Sequence, residues 1–181
     1  MKPIEVILVN ENDEEIGTME KLEAHQKGLL HRAVSIYVFN EKTELLLQLR
    51  SIKKYHCGGL WTNTCCGHPL PGESSLESAH RRLYEEMGFD CELDKVFEFK
   101  YKLAVTDGLT ENEYGHIFFG EYKGDVNINP EEADDFKYVP VSEVAAQLKL
   151  APENYTPWFK LVFGNVLEHL EKPGKIQYTE K

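Results

Sequence analysis

The chain has no long hydrophobic run, no surplus of basic charge and few cysteines. No stretch approaches the roughly 20 apolar residues that a helix needs to cross a bilayer. Met1 to Glu15 has no basic segment leading into an apolar one, so a cytoplasmic protein without a membrane role is expected. Lys and Arg number 20 against 31 Asp and Glu, a net charge of -11, which argues against a nucleic-acid surface built from clustered cations. A phosphate-bearing ligand would need a few placed basic residues, a metal ion, or both. The four cysteines, Cys57, Cys65, Cys66 and Cys91, lack the spacing of a zinc knuckle or redox pair, so reduced thiols are expected.

What is present is a core. Hydrophobic residues make up 41% of the 181 and aromatics 11%, too many for a disordered chain, and nothing marks a repeat or a composition break. One domain over residues 1–181 is expected, with a catalytic core of about 30–165. Short apolar, β-branched runs predict strands at Ile4 to Val9, Ala33 to Phe39, Leu45 to Leu49 and Leu60 to Cys66, with a hairpin turn over Asn40 to Glu44. Between Glu73 and Gly88 the period lengthens: Leu76, Ala79, Leu83 and Met87 predict a helix capped by Ser74 or Ser75 and ended by Gly88. Arg82, Glu85 and Glu86 share its polar side. Further strands are expected at Val96 to Val105, Glu113 to Tyr122 and Asp135 to Val139, then helices at Ser142 to Leu150 and Pro157 to Leu170, and a loose tail after Pro173.

The segment Gly67-His68-Pro69-Leu70-Pro71-Gly72-Glu73, followed after seven residues by Arg81-Arg82-Leu83-Tyr84-Glu85-Glu86-Met87-Gly88-Phe89, resembles the Nudix box. That resemblance implies a Nudix-type α/β/α sandwich with a mixed central sheet and a loop-helix-loop that holds metal and diphosphate. Carboxylates on one helical face suit a hard, oxygen-seeking cation such as Mg²⁺. One position departs: Arg82 stands where the family has its first helix glutamate, which weighs against diphosphate hydrolysis and offers a guanidinium to phosphate instead.

Trp61-Thr62-Asn63-Thr64-Cys65-Cys66-Gly67-His68-Pro69, with His25, His31 and Glu111-Asn112-Glu113, resembles the type I isopentenyl diphosphate isomerases, from Val9 through Trp158. The resemblance implies transfer of a double bond from isopentenyl to dimethylallyl diphosphate, with the diphosphate kept. It implies a Mn²⁺ or Zn²⁺ site of His25, His31, His68, Glu111 and Glu113, and a diphosphate-bound Mg²⁺ on Glu86. In an extended segment Glu111 and Glu113 point to one side and can reach one ion. Cys66 and Glu113 are the expected proton-transfer pair, either one the acid, with Tyr101 assisting Glu113. A thiol beside a metal-bound histidine can have a lowered pKa and act as a base.

Strand alternation lets only one of Cys65 and Cys66 see substrate, and Cys65 is read as packing. Trp158, ahead of Trp61, is expected to face the carbocation-like species. Lys21, Arg50, Lys54 and Arg82 are the expected diphosphate ligands, with Lys53 the alternative to Lys54. His56, His80, His116 and His169 match nothing in the pattern and are read as structural. The expected partner is a small isoprenyl diphosphate, acted on by a monomer or weak homodimer. The rival readings are a Nudix pyrophosphohydrolase and a non-catalytic module binding diphosphate or metal.

Overall fold

The computed structural model describes residues 4–105 and 108–171. The tail expected to be loose after Pro173 lies outside the described residues. In chain order the strands are β1 (Glu5–Val9), β2 (Glu15–Glu20), β3 (His31–Phe39), β4 (Glu44–Arg50), β5 (Trp61–Thr62), β6 (Cys65–Gly67), β7 (Leu93–Ala104), β8 (Thr110–Glu121) and β9 (Ala133–Pro140). The helices are α1 (Lys21–Lys27), α2 (Ser75–Met87), α3 (Val141–Leu150) and α4 (Pro157–Leu170).

All nine strands join one mixed sheet. β3 is its spine: it runs parallel to β8 on one side and antiparallel to β6 on the other. β7 and β9 extend the sheet by antiparallel pairing with β8 and β4. Being buried on both faces, β3 reads as an almost continuous apolar run. On one face its Val34, Ile36 and Val38 pack with Ala79, Leu83 and Met87 of α2. On the other, Tyr37 and Phe39 pack with Phe159, Val162, Phe163 and Val166 of α4. This is the expected α/β/α sandwich.

α2 forms where the periodicity placed it. Ser74 caps it in a reciprocal box with Glu77, and Gly88 ends it at φ 73°. The register of the periodicity is right for Ala79, Leu83 and Met87, whereas Leu76 is 45% exposed. In the loop before the helix, both carboxylate oxygens of Glu73 accept from the Arg81 fork at 2.7 Å, and one of them also accepts from Leu70 N–H.

The Leu60 to Cys66 run is not one strand. Its ends pair with different neighbours, β5 with β4 and β6 with β3, and Asn63 and Thr64 bridge the wedge between them. Asn63 donates to Ile36 O and Cys65 O; Thr64 Oγ1 donates to Leu46 O and accepts from Val38 N–H. β2 and α1 were not anticipated. α1 is only seven residues long, capped by the Glu20 carboxylate on Leu22 and Glu23 N–H and closed by Gly28 in the left-handed conformation.

Candidate active site

Three neighbouring strands set the centre of the site side by side. Glu113 on β8 is in register with His31 on β3 and with Tyr101 on β7. His25 comes from α1, and His68 from the loop after β6. Ligand atoms of His25, His31, His68 and Glu113 all lie within 4.8 Å of one another. Glu111, two residues before Glu113 on the same face, stands one step out: its Oε2 is 3.1 Å from His25 Nε2 and its Oε1 is 2.6 Å from His56 Nε2.

The His31 ring decides what this cluster can hold. Its Nδ1 lies 2.8 Å from Leu29 O, a group that only accepts, so Nδ1 carries the proton. Burial, together with the neighbouring His68, pushes its pKa down to about 4, so the ring is neutral at pH 7. Nε2 is therefore a buried lone pair, and no group among the described residues satisfies it. An electron-pair acceptor is what such an atom lacks, and a borderline cation is the acceptor that neutral imidazole suits. The donor set fits a divalent metal.

The carboxylates differ. Burial and the charge of Glu111 raise the Glu113 pKa to about 7, while Tyr101 donates its O–H to Oε2. Burial would raise Glu111 too, but hydrogen bonds and charge from His25 and His56 outweigh it and hold that carboxyl well below the usual range. For His25 the same partner wins in the other sense: burial lowers its pKa, Glu111 more than compensates, and the net is a rise.

Cys66 faces the same cavity from β6, while Cys65 is fully buried against α2, as alternation requires. The Cys66 thiol donates to Asn63 Oδ1 at 3.2 Å and lies 3.6 Å from Ser35 Oγ. Burial pushes its pKa up to about 11, with Ser35 and Asn63 opposing and Glu113 adding to the rise. The lowered thiol pKa expected from the sequence is thus not a property of these protein groups, because a dry site disfavours the thiolate.

The cavity, about 520 Å³, runs from this cluster to a basic end lined by Lys21, Arg50, Lys54 and Arg82. Burial pushes Lys54 down to about 8, with the charges of Arg50, Arg82 and Lys21 adding to the fall against Glu86. Lys21 is lowered by burial and by Arg82. Arg50 Nε is buried without a partner among the described residues. Cations crowded into a half-dry cleft, with one N–H unspent, make an anion site. Glu86, buried on α2, accepts from Arg82 and from Gln48 Nε2; burial raises its pKa, but Arg82 and Lys54 hold it low, leaving it ionised.

Of the two adjacent lysines, Lys54 turns inward to Glu132, while Lys53 turns out to Glu131 and is mostly exposed. Glu132, which also sits 3.3 Å from Arg82, escaped the sequence reading. Trp158 lines the cavity, donates to Thr62 Oγ1, and carries the Arg50 guanidinium 5.2 Å over its ring. Trp61 instead lies under Lys137.

His56 is the main revision, since it stands in the cavity wall on Glu111 and not in a structural setting apart. His80 pairs with Asp90, and His169 stacks on Phe97, both away from the cavity. His116 belongs to a second cluster, with Asp13 and Glu98.

With this geometry in place, the comparisons define the class. The NUDIX domain family matches residues 29–159, which contain the sheet spine, α2 and its flanking loops. Solved structures of similar fold include DR0079 from Deinococcus radiodurans, at 16% identity and TM-score 0.74 over 89% of this chain and 98% of that one. A MutT protein from Methanosarcina mazei follows at 23% identity and TM-score 0.65, covering 79% and 96%.

Sequence relatives narrow the class. An isopentenyl-diphosphate Delta-isomerase of Pectobacterium atrosepticum is 49% identical, covering 91% of this chain and 92% of the relative. Isopentenyl-diphosphate Delta-isomerase 2 of Aromatoleum aromaticum is 48% identical, covering 90% and 86%. The chain belongs to the isopentenyl-diphosphate Delta-isomerase family, built on the Nudix fold.

Proposed function

We infer that this chain interconverts isopentenyl and dimethylallyl diphosphate by 1,3-allylic proton transfer, within a single domain whose catalytic core spans about 30–165. The observation that carries the reading is one cavity lined by Cys66 and Glu113, whose far end gathers Lys21, Arg50, Lys54 and Arg82. Arg82, in place of a helix carboxylate, favours holding the diphosphate over cleaving it.

The basic end binds the diphosphate, and Glu86 holds Mg²⁺ there. His25, His31, His68, Glu111 and Glu113 hold Mn²⁺ or Zn²⁺. When bound, these ions supply positive charge, at the diphosphate and beside the Glu113 carboxylate respectively. The isoprenyl chain then lies between Cys66 and Glu113, which reach the cavity from strands on opposite sides of β3. One group gives a proton to the terminal methylene carbon, and the other takes one from the allylic carbon two positions along. Atoms and charge balance without a co-reactant, and in the reverse direction the two groups exchange roles.

Tyr101 fixes one Glu113 oxygen so that the carboxyl meets the substrate in one orientation. Trp158 offers a π face to the positive centre, worth about 0.5–2 kcal/mol.

The test is incubation with isopentenyl diphosphate and Mg²⁺ in deuterated water, followed by proton and phosphorus NMR. Deuterated dimethylallyl diphosphate with the diphosphate intact is the expected product. Released phosphate would move the chain to pyrophosphohydrolysis, and stabilisation by ligand without turnover would make it a binding module.

A further inference from the structure

His56 lines the cavity, yet the chemistry above gives it no task. It comes from the loop between β4 and β5, which also carries Lys54 and Tyr55. The loop is closed by backbone hydrogen bonds, Gly59 N to Arg50 O at 2.9 Å and Arg50 N to Leu60 O at 3.0 Å. Arg50 Nη2 also donates to the His56 carbonyl. The next residue, Cys57, has φ 52°, a left-handed conformation that a side chain resists. Local backbone strain is thus accepted in a loop that presents the His56 ring inward.

The ring's polar pairing goes to one atom. Its Nε2 is 2.6 Å from Glu111 Oε1, while its Nδ1 is buried with no partner among the described residues. Tyr55 and Trp158 pack near it, with ring centroids 4.4 and 5.7 Å away. A carboxylate oxygen accepts and a ring N–H donates, so His56 Nε2–H is the donor in this 2.6 Å pair. With Oε1 fixed in this way, Oε2 is left toward His25 and the four-donor cluster. Without that bond the 3.1 Å contact with His25 alone would hold the carboxylate's orientation.

We propose that His56 is a positioning residue that fixes the Glu111 carboxylate as a metal ligand and thereby sets the affinity of the histidine site. The proposal rests on the metal-site reading above. Hydrogen-bonded partners of ligating carboxylates act this way, and their loss costs roughly 10–100-fold in metal affinity.

The experiment measures Mn²⁺ and Zn²⁺ affinity of the full chain by chelator competition, without substrate. His56→Ala and His56→Phe are expected to weaken binding by about 10–100-fold. His56→Gln, whose amide N–H reaches the place of Nε2, is expected to recover most of that loss. Parent-like affinity in His56→Phe, or a His56→Gln no better than His56→Phe, overturns the proposal. So does a lower Tm in chelator with unchanged affinity, which is the mark of packing alone; His56→Phe and His56→Gln keep the question decidable if His56→Ala folds poorly. A parent protein that binds neither ion overturns the metal-site reading itself, a result distinct from parent-like variants.

Discussion

Strand β8 carries two clusters of the same residue types on its opposite faces. On one, Glu113 meets His25, His31 and His68; on the other, His116 meets Asp13 and Glu98, again with ligand atoms within 4.8 Å. Their neighbours differ. Arg32 donates to Asp13 Oδ1 at 2.7 Å and to its carbonyl at 2.6 Å. Lys95 and Tyr114 take the two oxygens of Glu98 at 2.6 Å each. The second cluster already has its cations and serves as a clamp, tying the β1–β2 turn to β3, β7 and β8. Among the described residues no Lys or Arg pairs with the Glu113 carboxylate of the first, while each cluster leaves one buried ring nitrogen unpartnered, His31 Nε2 in the first and His116 Nδ1 in the second. Donor type and spacing nominate a metal site; carboxylate charge left unmatched by Lys or Arg distinguishes it.

The sharpest way to break this comparison is to neutralise one carboxylate from each cluster. Glu113→Gln is expected to lower kcat by at least about 10³-fold, since it removes a proton-transfer group. Glu98→Gln is expected to leave kcat within about twofold, as for a surface substitution remote from the chemistry. Cys66→Ala should match Glu113→Gln. Steady-state turnover with isopentenyl diphosphate decides, and near-parent activity in Glu113→Gln or Cys66→Ala removes that residue from the mechanism.

Metal affinity comes next. His31→Ala is expected to weaken Mn²⁺ or Zn²⁺ binding by about 100-fold or more, because a ligand counts for at least as much as its supporting shell. His116→Ala should leave the affinity unchanged. Equal losses in the two variants, measured by chelator competition, would dissolve the distinction between the clusters.

How much of this was legible depended on the range of the signal. α2 could be read because Ala79, Leu83 and Met87 repeat with the helical period between a capping serine and a glycine, all local properties. The shared face of Glu111 and Glu113 followed from period two alone. α1 could not be read: seven residues give no periodicity, and its cap is a glutamate, an unusual choice. The apolar run Leu60 to Cys66 reads as one strand, because nothing local tells that β3 and β4 pair with different ends of it. His56 was the hardest, since its partner Glu111 lies 55 positions away and only the fold brings the two together. Lys53 and Lys54 are indistinguishable by sequence, and the loop's direction separates them.

pH offers a smaller but sharper test. In the fold His31 has a pKa of about 4, against 6.5 for the free side chain. The unfolded chain therefore binds more protons between these values, so stability rises with pH there. The contribution is complete above 6.5 and is lost as pH falls toward 4, about 2 kcal/mol of it by pH 5. His25, His68 and Glu113 face the ring and share in the titration. In chelator-treated protein, the Tm is expected to drop between pH 7 and pH 5, and His31→Gln should flatten that drop. An unchanged slope would mean that His31 is charged in the fold, and the lone-pair argument would fall with it.

The smallest effect concerns the clamp. Arg32→Ala removes two hydrogen bonds to Asp13 from a pair whose side chains are 16% and 19% exposed, so solvent screens part of the loss. About 1–2 kcal/mol of destabilisation is expected, a Tm decrease of several degrees for a chain of this size. Metal affinity and kcat should stay at the parent's values, because the clamp lies on the face of β8 away from the cavity. If Arg32→Ala instead creates a new Mn²⁺ or Zn²⁺ site at Asp13, Glu98 and His116, the comparison gains its strongest support. The same donors would then bind once their own cation is gone.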